Sequence, residues 1–310
     1  MSPANKWTSG DSPHQPLTAA ARIALEARLS AVRQFLELAA AAETSQVEYV
    51  HQLRVWSRRA AAALNAFSTV LPTRRRQWLV HKLQHIRRAA GNARDCDVML
   101  TQLSAKPRRT PDDSADEVCR HVAELRDEAQ RPIRRMQRRL SRRLAKRAAK
   151  LLDRLKWRGK GRTPTFGAAA REQLAPAVTG FFEAADGDLS DVASLHRFRI
   201  AGKRLRYVME LFAAAFPPAF REELYPLVEE LQERLGEIND HAAAAARLQA
   251  WQTELSTPGA AAALRMWRSE RRALGRCRRD FFAWWTAERA AGLQRRFARV
   301  LAPDTGSIAG

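Results

Sequence analysis

The side chains best suited to chemistry in this chain form a like-charged set that occurs twice. His51-x-x-Arg54-x-x-x-Arg58-Arg59 returns 145 positions later as His196-x-x-Arg199-x-x-x-Lys203-Arg204. At the same offset Phe67, Pro72, Gly91 and Asp95 return as Phe212, Pro217, Gly236 and Asp240. His51 and Asp95 are 44 residues apart, as are His196 and Asp240, so two helices and their connection keep one length. At helical periodicity His51, Arg54 and Arg58 share one face, with Leu53, Leu64, Phe67 and Leu71 behind them. The second copy gathers His196, Arg199, Lys203, Arg206 and Tyr207 opposite Phe198, Leu205, Met209, Phe212 and Phe216. Arg59 and Arg204 flank the two faces.

A merely solvated face mixes signs, because opposite charges four residues apart support a helix and like charges oppose it. Two unmixed faces point instead to an anionic ligand, met by charge-assisted hydrogen bonds from Arg forks and Lys. His51 and His196 would add a contact whose strength depends on imidazole protonation. The stretches Gly91-x-x-Arg94-Asp95 and Gly236-x-x-Asn239-Asp240 also permit an acid–base couple of Asp with the upstream His. The structural reading is stronger: Gly91 and Gly236 suit a helix end or a close crossing, and Asp95 and Asp240 suit N-caps that orient an arginine of the basic face. The acids Glu222, Glu223, Glu229, Glu230, Glu233 and Glu237 follow one helical face with no evident His partner. No catalytic residue, metal or cofactor is therefore assigned, and the expectation is a binding protein rather than an enzyme.

A third basic element lies between Arg131 and Arg162, with 15 Lys or Arg residues against the single acid Asp153. Paired cations at 134/135, 138/139, 142/143 and 146/147 advance by four, which keeps one side of a long helix basic. Arg134, Arg138 and Arg142 are expected to help wall the binding cleft, matched by the arginines from Arg265 to Arg279 in the second half. Taken alone, such a helix suits a membrane surface or a nucleic-acid groove equally well.

Ala, Leu, Arg and Glu dominate and β-branched residues are sparse, so helices are the only regular structure expected to carry these groups. The pattern predicts helices at 18–42, 46–70, 74–92, 96–103, 116–157, 168–185, 192–215, 219–237, 241–255 and 260–300. The fold class is all-α: two pseudo-symmetric bundles of long antiparallel helices from an internal duplication, with a basic central cleft. The expected organisation is a disordered tail at 1–16, a first half at 17–157, a linker at 158–167, a second half at 168–301 and a C-terminal tail at 302–310. The 54 Lys plus Arg exceed the 33 Asp plus Glu by 21, an imbalance that a dense polyanion relieves, while 45% hydrophobic residues still supply a core. No run approaches the ~20 apolar residues of a membrane span, and the N-terminus has no apolar leader core, so a cytoplasmic protein is expected. Three scattered cysteines, Cys96, Cys119 and Cys277, read as small core residues in a reducing compartment.

At these residues the chain resembles the CHAD family, the conserved histidine α-helical domain. Its pattern is a His-x-x-Arg-x-x-x-Arg/Lys-Arg helix followed by a Gly-x-x-Arg/Asn-Asp turn, present twice. The match includes the stretch from His196 to Tyr207 and that from Leu231 to Asp240, and the two copies span about 18–300. The second copy fits more closely, since Ala61 and Ala62 stand where it has Arg206 and Tyr207. The resemblance implies a pseudo-two-fold bundle of long helices that binds inorganic polyphosphate in a basic central cavity without a metal of its own. The family is often fused to a triphosphate-hydrolysing CYTH domain; no β-rich, acidic segment of that kind is present, which implies a stand-alone member associated with polyphosphate granules and their proteins. Two rival readings remain: a sequence-nonspecific nucleic-acid binder, for which nucleic acid would compete with polyphosphate, and a polyphosphate-processing enzyme.

Overall fold

The computed structural model describes residues 5–7, 12–41, 46–104 and 113–302. Among them the regular elements are helices: α1 (Leu17–Ala41), α2 (Val47–Ala66), α3 (Thr73–Ala89), α4 (Gly91–Ser104), α5 (Asp113–Leu152), α6 (Phe166–Ala185), α7 (Val192–Phe212), α8 (Tyr225–Trp251), α9 (Thr257–Trp284) and α10 (Ala287–Leu301). Short 3₁₀ turns follow α2 and α7, at Ser68–Val70 and Ala213–Ala215, and a π turn at Phe220–Leu224 leads into α8.

Local sequence explains four of the ten starts. Thr165, Asp191, Ser256 and Thr286 each accept a hydrogen bond from a backbone N–H in the first turn of α6, α7, α9 and α10. Such a cap satisfies a donor that the helix itself leaves unpaired. Burial then follows the helical period. On α2 the residues Val50, Leu53, Trp56, Ala60, Ala63 and Leu64 face inward, and on α7 Leu195, Phe198, Gly202, Leu205, Met209 and Phe212 do so.

α2 and α7 lie at the centre, α2 against α1 and α3, α7 against α6 and α8, and the two against each other. One apolar core runs from Leu17 to Phe297 through both halves. Phe67 and Phe212, equivalent positions of the sequence repeat, meet edge to face at 5.7 Å, and Phe166 tilts against Phe212 at 5.4 Å. A smaller core of Met99, Val118, Val122, Leu248 and Ala263 joins α4, α5, α8 and α9 at the far end.

Several boundaries differ from the expected ones. In place of separate helices at 219–237 and 241–255 there is one continuous α8, Tyr225–Trp251, because Ile238 keeps the buried period through Asn239 and Asp240. Conversely, 260–300 breaks at Trp285, where Thr286 caps a separate α10. α5 stops at Leu152 rather than 157. The connection is held where Lys156 and Arg158 donate their N–H groups to the carbonyls of Val70 and Thr69. Of the expected tail at 1–16, residues 5–7 and 12–16 are described: Trp7 packs edge-on against Tyr225 at 4.7 Å, and Phe166 and Gly167 donate to the carbonyls of Gln15 and Pro13. The C-terminal tail from 303 lies outside the described residues.

Arg126 and Asp97 form an ion pair buried at 1% and 0% exposure between α5 and α4, and Gln130 ties it to the carbonyl of Ala39. Removing one partner strands the other charge, so Asp97→Ala is expected to lower the unfolding free energy by about 3–5 kcal/mol. The double variant Asp97→Leu/Arg126→Met should recover most of that loss, and urea denaturation measures both.

Candidate functional site

The basic faces of α2 and α7 converge on a groove with two lobes. The larger, of about 740 Å³, is lined by Arg58, Arg87, Arg199, Lys203, Arg204 and Tyr207, with Asn65, Gln173 and apolar residues such as Pro176, Ile200 and Val208 in the rest of its wall. The second, of about 390 Å³, takes in His51, Arg54, Arg94 and Arg206, and meets Asp95, Glu233, Gly236 and Asp240 on its other side. Arg58, Arg199, Lys203 and Tyr207 line both lobes and form the waist between them.

The waist is electrostatically crowded. Lys203 has its ammonium pushed down to about 7, first by burial and then by Arg199 and Arg58, with Asp240 opposing. Burial also holds Arg199 and Arg54 below the ordinary guanidinium range. The Arg199 Nε and both amide atoms of Gln232 are buried with no hydrogen-bond partner among the described residues. An unmade bond of this kind costs roughly 1–3 kcal/mol, so the groove is poised for a polar occupant. Burial, and after it Arg94, pushes the His51 imidazolium below its ordinary range.

A buried acidic cluster holds one side of the groove in place. Glu210, 1% exposed on α7, accepts from Arg59 Nε at 2.6 Å and from the Tyr225 hydroxyl at 2.8 Å. Arg206 lies 3.8 Å from Glu210 and 3.6 Å from Glu229. Although burial works against its charge, Glu210 holds Arg206 above the ordinary guanidinium range. Lys6 closes the far side, 2.9 Å from Glu229.

Most of the residues expected from sequence meet here, and some do not. Arg59 is committed to Glu210 and stacks on Trp56 at 4.9 Å instead of facing the groove. His196 is exposed and lines neither lobe, so the two histidines are not equivalent. Arg134, Arg138 and Arg142 are exposed on α5 and stand outside both lobes, and the arginines of α9 do not wall them either. Asp95 and Asp240 are not N-caps: each lies inside a helix, since α4 starts at Gly91 and α8 runs through Asp240. Asp95 instead pairs with Arg247 across α4 and α8, and Asp240 acts on Arg199 and Lys203. The Arg54 guanidinium donates to the Arg87 carbonyl at 2.9 Å and passes Gly91 at a distance, 3.4 Å, that a Cβ would tolerate; Gly236 lies inside α8 and faces open space, so it marks neither a helix end nor a close crossing.

Sequence reading missed Arg87, Arg94 and Gln232. Arg94 stood within the repeated Gly-x-x-Arg-Asp stretch, whereas Arg87 and Gln232 occupy equivalent positions of the repeat at the same offset of 145 but differ in residue type, so no shared side chain marked them.

The fold and the groove define an all-α protein with a cation-lined interhelical cleft. The CHAD domain family model matches residues 23–249, and the chain belongs to that family. Among solved structures it is similar to the CHAD domain from the plant Ricinus communis, with a TM-score of 0.69, 21% identity, and 95% of this chain and 96% of that one covered. It is also similar to PptA from Streptomyces chartreusis, with a TM-score of 0.60, 17% identity, and 86% and 98% covered. At these identities both likenesses concern the fold. A search of curated proteins gives no match.

Lys203 carries a stability penalty of defined sign. Its folded value of about 7 lies below its ordinary 10.5, so the penalty is full below about pH 7 and fades as pH rises toward 10.5. Lys203→Met is therefore expected to raise the thermal midpoint at pH 6 and to leave it nearly unchanged at pH 10, as differential scanning calorimetry would read.

Proposed function

We propose that this chain is a non-catalytic binding protein for inorganic polyphosphate, held in the groove between α2 and α7. The observation that carries the reading is the waist, where Arg58, Arg199 and Lys203 crowd together and the Arg199 Nε has no hydrogen-bond partner among the described residues. Polyphosphate brings about one negative charge per phosphate on a flexible chain, and successive phosphates suit a line of Arg forks and Lys. Arg58, Arg87, Arg199, Lys203 and Arg204 would take the chain in the larger lobe; His51, Arg54, Arg94 and Arg206 would take it in the second. The family resemblance supports the same ligand and extends it to a place at polyphosphate granules. Among the described residues no helix is long and apolar enough to cross a membrane.

The Asp95, Asp240 and Glu233 side bounds the polymer. Acids repel phosphate oxygens, so the chain should follow the α2 and α7 wall.

Titration calorimetry with polyphosphate of defined length tests the assignment. Arg199→Glu/Lys203→Glu removes two charge-assisted contacts and should weaken binding by roughly a hundredfold; an unchanged affinity overturns the site. Affinity should also fall as pH rises from about 7 toward 10, because bound phosphate favours charged Lys203 and the free protein must then take up a proton. Release of phosphate by the pure protein with Mg²⁺ or Mn²⁺ would replace binding with turnover.

A further inference from the structure

The densest positive surface lies outside the groove. From Arg131 to Lys150, α5 carries ten Arg or Lys residues, all exposed, and no acid. α3 packs beside it and also has no acid along Thr73–Ala89. At their seam Arg143 and Arg147 lie over the Trp78 ring at 5.5 and 5.4 Å. The large exposed apolar side chains, Ile23, Val192, Ile200 and Phe282, lie on other helices. The result is a long polar face to which α3 and this stretch of α5 contribute cations and no acid; the carboxylate beside it is Glu37 of α1, which accepts from Ser141.

We propose that the α3/α5 face binds double-stranded nucleic acid through its phosphates, separately from the groove and without reading sequence. Charge complementarity and length argue for this occupant. The basic run is about 30 Å long at 1.5 Å per residue. A duplex presents one negative charge per ~1.7 Å of axis, so roughly 18 phosphates span that length on a rigid frame. A lone flexible chain fits the face less well, since exposed contacts are individually weak and the chain must be ordered to make them. A membrane anchor would call for large exposed apolar side chains beside the cations, and among the described residues this face presents only alanines such as Ala145 and Ala149. Trp78 is roofed by guanidinium groups, which leaves no ring for base stacking, and contacts to phosphate alone carry no sequence information.

Fluorescence anisotropy of the full chain with a 20-base-pair duplex, across a salt series, tests the proposal (a length of about two helical turns). The variant Arg135→Glu/Arg139→Glu/Lys146→Glu changes three exposed side chains that line neither lobe of the groove. Its duplex affinity should fall at least tenfold, and its salt dependence should become shallower by about 0.9 in slope per lost phosphate contact. Its polyphosphate affinity should stay within about twofold of the parent's, and Lys203→Glu should leave duplex binding intact. Arg135→Gln/Arg139→Gln/Lys146→Gln, with the helical circular-dichroism signal as a check, gives a milder version of the same loss if charge reversal disturbs folding.

Unchanged duplex affinity and slope overturn the proposal. So does an equal loss of polyphosphate, which would make the face an extension of the groove. Binding of phosphatidylserine vesicles that is lost in the variant while duplex binding persists would assign the face to a membrane and overturn it too. The groove assignment fails on a different arm, polyphosphate binding by Lys203→Glu.

Discussion

Like charges brought together by packing are the constraint on which the rest depends. α2 and α7 turn Arg58, Arg199 and Lys203 toward one another, and two unit charges ~5 Å apart repel by about 3 kcal/mol at an effective dielectric near 20. Nothing local favours that meeting. It is imposed by the apolar sides of the same helices, where Phe67 meets Phe212 and one core passes through both halves. Burial of those rings is worth more than the repulsion costs, since fully burying one large apolar side chain contributes roughly 1.5–3 kcal/mol and this core contains many.

The acids are placed so that they steady the cations without neutralising them. Glu210 sits behind the groove and is occupied by Arg59, Arg206 and Tyr225, so it fixes the position of Arg206 while the waist keeps its charge. Asp240 eases Arg199 and Lys203 from the opposite wall, and Asp95 is taken up by Arg247. Were these carboxylates at the waist itself, the groove would satisfy its own cations and have little to offer an anion. The N-terminal residues belong to this arrangement as well, because Lys6 reaches Glu229, the second acid beside Arg206.

Two kinds of basic surface therefore coexist, and they differ in physics more than in composition. In the groove, cations are partly desolvated, their protonation is shifted, and a polar group is left unpaired. On α5 the cations are exposed and screened, so only many simultaneous contacts with an extended partner count. Most of the net charge of the 131–162 run lies on this second kind of surface, and a reading from charge density alone merges the two.

The helical class, the repeat at an offset of 145, and the inward and outward faces of α2 and α7 were all legible from residue type and period, because they are properties of single helices. So were Arg54, Arg58, Arg199, Lys203 and Arg206 as groove residues, since helical phase fixes which side of the helix they share. Phase does not say what stands across from a side chain. That is why Arg59, next to Arg58 in the chain, turned out to belong to buried Glu210, and why His196 is exposed while its repeat partner His51 lines the groove. It is also why Arg134, Arg138 and Arg142 fell outside the cleft, and why Arg87 and Gln232 entered it unannounced. Sequence by itself determined which face of each helix is basic; only the packing of helices far apart in the chain decided which basic faces confront one another, because charge is carried by residues and confinement is made by their neighbours.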